Sequence, residues 1–338
     1  LATRRAKKSN CKIEEEVGTA ILLERFFITS ISLRTFLKLF VAPAVTKPAF
    51  AFPRFKNESK KMKKSILLIF LMGIVQSMTI AQTSIAVRTS GSGEPILYLP
   101  GFATPGEIWD ETSSQLPKHV AHVVTYAGFG GVAPVEMPWY EKLKADLVNY
   151  MITNNLSKVT VIGHSMGGNL ALDLAASLPD RIQKLVIVDA LACMREVVLP
   201  GVHADALGYG GPYIEQMLAM DEAANSSYLD QLTQNMITKP EDQQIVKNWM
   251  TGADRETFVY GYVDLLKLDS RPLLPSIKVP VLVMVAGHPY GLGTLDTMKK
   301  QYEELERKEF TFAQDSKHYL MLDAKDWFIG EVTSFLAK

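Results

Sequence analysis

Residues 159–177 read VTVIGHSMGGNLALDLAAS, a serine bracketed by Gly163, Gly167 and Gly168. The branched apolar residues before it spell a buried strand, and the residues after it space their apolar members as a helix does. Ser165 therefore stands where a strand gives way to a helix. The glycines leave room for a sharp turn that presents the side chain, and the helix N-terminus offers free N–H groups and a positive dipole. A hydroxyl held there can attack a carbonyl once a base takes its proton.

The elements that must position this hydroxyl alternate along the chain from residue 82. EPILYLPG, HVAHVVTYAGFGG, KVTVIG, KLVIVDA and VPVLVMVAG are short apolar runs, as expected of parallel strands buried on both faces. WYEKLKADLVNYMITNN and NLALDLAASLPDRI between them have the three-and-four spacing of surface helices. The pattern predicts an α/β fold, a mostly parallel central sheet with helices on both faces. Ligands in such sheets bind at the carboxyl ends of the strands, which is where Ser165 lies.

From about Ser90 onward the chain resembles the α/β-hydrolase fold family, in particular its lid-bearing esterases and haloperoxidases. LPGF after an early strand, GHSMGG after the central one, LLKLDSRPLLPSIKVPVLVMVAG through a late strand and SKHYLMLD near the end carry the resemblance, in order and spacing. It implies a Ser–acid–His triad. In this family the base is a histidine on the loop after the last strand, a position held by His318. His119 and His122 precede or enter a strand and His203 lies in the insertion described below. His164 adjoins Ser165 with its side chain expected to point elsewhere, and these four read as structural.

The acid departs from the family pattern, because the loop after VPVLVMVAG reads GHPYGLGTLD, with His288 and Tyr290 where the carboxylate is usual. Two candidates stay open. Asp189 ends the strand KLVIVDA, a place some relatives use, and is favoured; Asp296 comes later, at what looks like a helix start where an acid would serve as a cap. Asp315 reads as a turn residue. The resemblance assigns the oxyanion hole to the backbone N–H groups of Met166 and Phe102, although Pro100 stands where the family commonly has histidine.

A long insertion, about residues 191–275, separates Asp189 from the strand beginning at Val279. Two helical stretches, GPYIEQMLAMDEAANSSYLDQLTQNMI and EDQQIVKNWMTGADRETFVYGYVDLLKL, predict a lid, and Met217, Met220, Met236, Trp249 and Met250 make it rich in adaptable apolar groups. Asp269 and Arg271 at its exit read as structural.

Composition narrows the partners. The chain of 338 residues has a formal net charge of zero, yet residues 1–81 carry 15 Lys and Arg against 5 Glu, so the remainder is acidic, with 21 against 31. No basic patch interleaved with aromatics is present, which argues against nucleic acid. MKKSILLIFLMGIVQSMTIAQ, starting at Met62, has the basic start, apolar run and small-residue cut of a secretory signal over 62–81. Its apolar run is short of the roughly 20 residues of a membrane span, so no stable span is expected after cleavage. Export to the periplasm or medium follows, and residues 1–61 are expected to play no part in the fold. Cys193 is then the sole cysteine of the 82–338 body and reads as a small buried hydrophobe.

No HExxH, CxxC or dinucleotide fingerprint appears, so neither metal nor organic cofactor is expected. Cleavage of small to medium esters with an apolar acyl or alkyl group is the leading reading. A cofactor-free haloperoxidase or perhydrolase, using the same triad, and a catalytically silent binding protein are the alternatives. Haloalkane dehalogenase is disfavoured because its nucleophile is an aspartate.

Overall fold

The apolar runs become the middle of a seven-stranded sheet. The structure, a computed structural model, describes residues 83–116, 118–289 and 291–338; the expected leader, the segment before it and Cys11 lie outside the described residues. The first half runs β1 (Ile85–Gly91), β2 (Glu94–Leu99), α1 (Asp110–Gln115), β3 (His119–Tyr126), α2 (Trp139–Thr153), β4 (Val159–His164), α3 (Met166–Ser177) and β5 (Ile182–Val188). The insertion follows with α4 (Met194–Val198), α5 (Pro212–Leu218), α6 (Glu222–Met236), α7 (Pro240–Thr251) and α8 (Arg255–Lys267). The chain then closes with β6 (Val281–Ala286), α9 (Leu292–Gln301), β7 (Lys308–Ala313), α10 (Leu320–Asp323) and α11 (Lys325–Leu336).

The strand order is β1-β3-β2-β4-β5-β6-β7. β1 pairs antiparallel with β3, and every other pair is parallel. Register decides what meets at the carboxyl edge. Leu99 of β2 lies opposite Gly163 of β4, Gly163 opposite Ile187 of β5, and Val188 opposite Met284 of β6. The loops leaving β2, β4, β5 and β6 therefore emerge side by side. Ile96 to Leu99, Val161, Ile162 and Leu185 to Val188 are fully buried, so this edge stands on a close-packed floor.

The two helical stretches of the insertion are each broken. The first divides at Ala219–Asp221, where the Asp221 carboxylate accepts from Ala224 N, and the second at Gly252–Asp254, where Asp254 accepts from Thr257 N. Each aspartate caps a new helix, and the satisfied N–H groups outweigh the continuing apolar period. The insertion has a small core of its own, including Leu199, Leu207, Ile214, Met217, Val259, Val263 and Leu266. It is also fastened to the sheet side: the buried Asp264 of α8 accepts from Trp139 N at 2.7 Å and Tyr140 N at 3.2 Å, capping α2 from another element.

Asp269 and Arg271 form a two-pronged ion pair with Nε–Oδ1 2.8 Å and Nη2–Oδ2 2.7 Å, and Arg271 also meets Glu196. The pair joins the insertion's entry to its exit. Cys193 is buried, and both its backbone groups are held by the Gln301 amide.

Candidate active site

Ser165 has φ 52° and ψ −124°, a backbone conformation L-residues rarely adopt. Three glycines allow it. A Cβ on Gly163 would lie 2.2 Å from the Gly167 carbonyl oxygen, one on Gly167 2.3 Å from the Leu99 carbonyl oxygen, and one on Gly168 2.5 Å from Ala190 Cβ. Helix α3 thus crosses so close to β2, β4 and the end of β5 that no side chain fits between them. Ser165 N donates to Val188 O at 2.9 Å, and Ser165 O accepts from Gly168 N at 2.8 Å, which locks the turn from both sides. The strain of the turn, typically 1–3 kcal/mol, is held by this packing.

The β2 loop closes on the turn from above. Its Pro100 carbonyl accepts from the buried Tyr126 hydroxyl at 3.1 Å, and Thr104 N donates to Gly101 O at 3.3 Å. Among the described residues neither Phe102 N–H nor Met166 N–H has a hydrogen-bond acceptor, although both residues line the same cavity as Ser165. Two such donors, one of them at the N-terminus of α3, suit an oxygen that becomes negative.

His318 follows β7 and meets Asp189, 129 residues away in sequence, with Nδ1 2.7 Å from Oδ2. The Asp189 side chain is 12% exposed and that of His318 25%, so the pair sits in a partly dry setting where such a bond is strong. A carboxylate only accepts, so Nδ1 carries the proton and Nε2 keeps its lone pair for a proton from elsewhere. The other Asp189 oxygen accepts from Ala286 N at 3.0 Å, and Asp189 N donates to Met284 O at 2.8 Å. These bonds hold the aspartate at φ 44°. Asp296 lies on an exposed part of α9 and Asp315 in an exposed turn; among the described residues neither bonds to His318.

His164 corrects an expectation, because its ring does not point away from the site. It is fully buried with its centroid 4.5 Å from that of His318, and its Nε2 lies 3.0 Å from the His318 carbonyl oxygen. Of the other four histidines, His288 lines the same cavity, whereas three lie apart: His122 bonds the Tyr150 hydroxyl, His119 the Leu116 carbonyl, and His203 precedes a short turn of helix in the insertion.

The sequence pattern of the alpha/beta hydrolase family matches residues 96–331. The chain belongs to that family. Among similar proteins, a pimeloyl-[acyl-carrier protein] methyl ester esterase of Aliivibrio fischeri is 22% identical over 259 residues, covering 75% of this chain and 98% of its own length. Among solved structures, the esterase EaEST from Exiguobacterium antarcticum superposes with a TM-score of 0.64 at 22% identity, covering 75% of this chain and 96% of that one. A bromoperoxidase from Bacillus anthracis gives 0.60 at 18% identity, covering 75% and 95%. At these identities the structural likeness speaks for the fold.

In this alpha/beta hydrolase, Ser165, His318 and Asp189 open onto one cavity of about 220 Å³. Sheet loops make one wall and the insertion the other, where Ile214, Met217, Met236, Met250, Val259 and Val263 give an apolar lining. Met220 packs instead into the insertion's own core, and Trp249 against the main one. Phe102 joins the two walls, its ring meeting Phe129 and Trp139 on the sheet side and Phe258 and Tyr262 on the insertion side at 5.3–5.9 Å between centroids. Three tyrosines of the insertion, Tyr213, Tyr228 and Tyr262, also face the cavity, and burial raises all three phenol pKa values, so they stay neutral. Sequence reasoning missed these tyrosines; their helical spacing reads as ordinary packing. Among the described lining residues there is no lysine or arginine. No group of three or more His, Cys, Asp or Glu that could hold a metal ion occurs among the described residues.

Proposed function

We propose that this hydrolase cleaves small to medium carboxylic esters with an apolar acyl or alkyl group, through an acyl-enzyme on Ser165. The observation that carries the reading is the 2.7 Å His318–Asp189 bond in the cavity that also holds Ser165 on its strained turn. Ser165 Oγ attacks the acyl carbon as its proton passes to His318 Nε2, and the developing oxyanion takes the N–H groups of Phe102 and Met166. Collapse breaks the ester C–O bond, and the departing alkoxide takes the proton from Nε2. Water then attacks the acyl-enzyme, gives a proton to Nε2 and releases the acid; Ser165 Oγ recovers that proton. Asp189 keeps the imidazole in the Nδ1–H form and stabilises its cation throughout.

The apolar wall and the absence of a cation among the described lining residues favour uncharged, hydrocarbon-rich substrates over carboxylates or phosphates. The names of the similar proteins support ester hydrolysis, two of the three being esterases. The likeness to a bromoperoxidase keeps a second reading in play, in which the same serine forms a peracid from hydrogen peroxide and a carboxylic acid. Residues 62–81, read as a secretory signal, support a place outside the cytoplasm. No helix of the described residues is long and apolar enough to cross a membrane.

The test uses the mature chain, p-nitrophenyl esters of graded length and a fluorophosphonate probe. Turnover of short and medium esters with labelling at Ser165 is the expected result. A well-folded protein that neither labels nor turns over any ester overturns the reading in favour of a binding protein. Peroxide-dependent halogenation faster than ester hydrolysis selects the second reading.

A further inference from the structure

We infer that His164 is a positioning residue for the general base, holding His318 by its backbone carbonyl and by contact between the two rings. The inference rests on the serine-hydrolase reading above, and concerns how that site keeps its imidazole in place.

His164 ends β4, one residue before the nucleophile, and its ring is fully buried. Nε2 lies 3.0 Å from the His318 carbonyl oxygen, which can only accept, so Nε2 carries the proton and Nδ1 does not. That Nδ1 is buried without a hydrogen-bond partner. An unsatisfied buried acceptor is destabilising, which packing alone gives no reason to accept; a phenylalanine or leucine would fill the space without it. Gly101 shows how closely the surroundings fit this ring, since a Cβ there would lie 2.8 Å from Nδ1 and 3.3 Å from Ser165 Cβ.

The His318 segment has other ties. Asp189 holds the ring at Nδ1, Tyr319 bonds Thr104 of the β2 loop through its hydroxyl at 2.9 Å, and Lys317 N donates to Asp323 at 2.8 Å. None of these fixes the carbonyl of His318 itself. The bond from His164 does, and it comes from the same strand end that carries Ser165. One rigid piece of backbone thus sets the nucleophile and, through the adjacent imidazole, the base. The contact between the rings also matters when His318 takes the serine's proton. Burial, and the nearness of His318, hold His164 far below the usual histidine pKa, so the cation that forms meets a neutral aromatic ring and no second charge. The groups facing His318 are then Asp189, His164 and the Tyr319 ring, whose hydroxyl is pushed up to about 12.

Two substitutions divide the role. His164→Phe keeps a ring and removes the donor; His164→Gln keeps a donor and removes the ring. Expected for His164→Phe is a fall in kcat of about tenfold, the size of one lost hydrogen bond, with KM within about twofold and a shifted acid limb of the kcat/KM pH profile. Expected for His164→Gln is kcat closer to the parent than His164→Phe. A folded His164→Phe with parental kcat and an unmoved acid limb overturns the inference, as does His164→Gln that is folded and no better than His164→Phe.

Should His164→Phe not fold, 15N spectra of histidine-labelled parent protein decide. A histidine signal assigned by its loss in His164→Gln, neutral and Nε2-protonated throughout the titration of His318, supports the role, and protonation of His164 at or above the pH where His318 titrates removes it. Fluorophosphonate labelling of the parent separates the two levels. An unlabelled parent sinks the serine-hydrolase reading, whereas a labelled parent with indifferent variants sinks only the role of His164.

Discussion

The two walls of the cavity are built on different principles. On the sheet side the reactive groups are placed by backbone: strand ends in register, a turn that tolerates only glycine at three positions, and a carboxylate fixed through both its own N–H and its far oxygen. On the insertion side the lining is side chains from short helices around a small core of seven buried residues, with Met217 and three further methionines, Met194, Met236 and Met250, lining the cavity. Backbone placement is stiff and shared along the sheet, so one atom moves only if its neighbours do. Methionine-rich helix faces repack at little cost. Under the proposed function, the first wall does the chemistry and the second chooses the substrate.

Substitutions on the sheet wall put that division to its hardest trial. Ser165→Ala should lower kcat on the order of 10⁵-fold and abolish labelling, leaving substrate preference without meaning. Asp189→Asn should cost about 10⁴-fold, by removing the group that selects the Nδ1–H form of His318, while Asp296→Asn stays within about twofold. A larger loss at Asp296 in stopped-flow ester assays would move the acid to α9 and break the sheet-wall account.

The joint between the walls gives an intermediate effect. Asp323 accepts from Thr238 N at 2.8 Å and Thr238 Oγ1 at 2.9 Å on the insertion, and from Lys317 N at 2.8 Å beside His318. Lys317 Nζ in turn donates to the Gln234 and Ile237 carbonyls at the end of α6. Asp323→Ala should reduce stability by about 1–2 kcal/mol in urea unfolding and lower kcat, since two segments lose their common anchor. Unchanged kcat in a destabilised variant would show that the walls are mechanically separate.

Smaller still is the expected effect on the insertion wall. Met217→Ala should shift the preferred acyl chain upward, changing the hexanoate-to-butanoate ratio of kcat/KM about fivefold, because the wall relaxes around the space. A loss of kcat on every ester alike would mean that Met217 positions the reaction as well. The mildest effect concerns pH. His164 is held below its ordinary value of 6.5, so above pH 6.5 its charge does not distinguish folded from unfolded chain. Below 6.5 the unfolded chain takes the proton first, and stability falls with pH by up to about 1.4 kcal/mol per unit until the native group also protonates. Thermal melts of parent and His164→Gln across pH 7 to 5 check this, the variant showing the shallower decline.

The same division explains what could be read from the chain. β2 to β6 were legible because strands buried on both faces are unbroken apolar runs. β1 was not: in IAVRTSG four of the seven residues at its end are exposed in a row, as an antiparallel edge strand allows. The breaks in the insertion helices were hidden by an apolar spacing that runs through them, although Asp221 and Asp254 were visible cap signals. Ser165 was legible because its motif is local. The Asp189–His318 pairing depends on β5, β6 and β7 lying side by side, which no local pattern states. The direction of the His164 ring depends on the strained turn that follows it; the signal present was its adjacency to Ser165.

Asp264 bears on how such insertions can be exchanged between relatives. The carboxylate belongs to the inserted segment, yet the helix start it satisfies belongs to the scaffold. Anyone transplanting a different insertion onto this sheet, whether in evolution or at the bench, removes that acid along with it and leaves two amide hydrogens of the host stranded. A successful graft must bring a replacement carboxylate to the same spot, so the apparent modularity has one compulsory fitting.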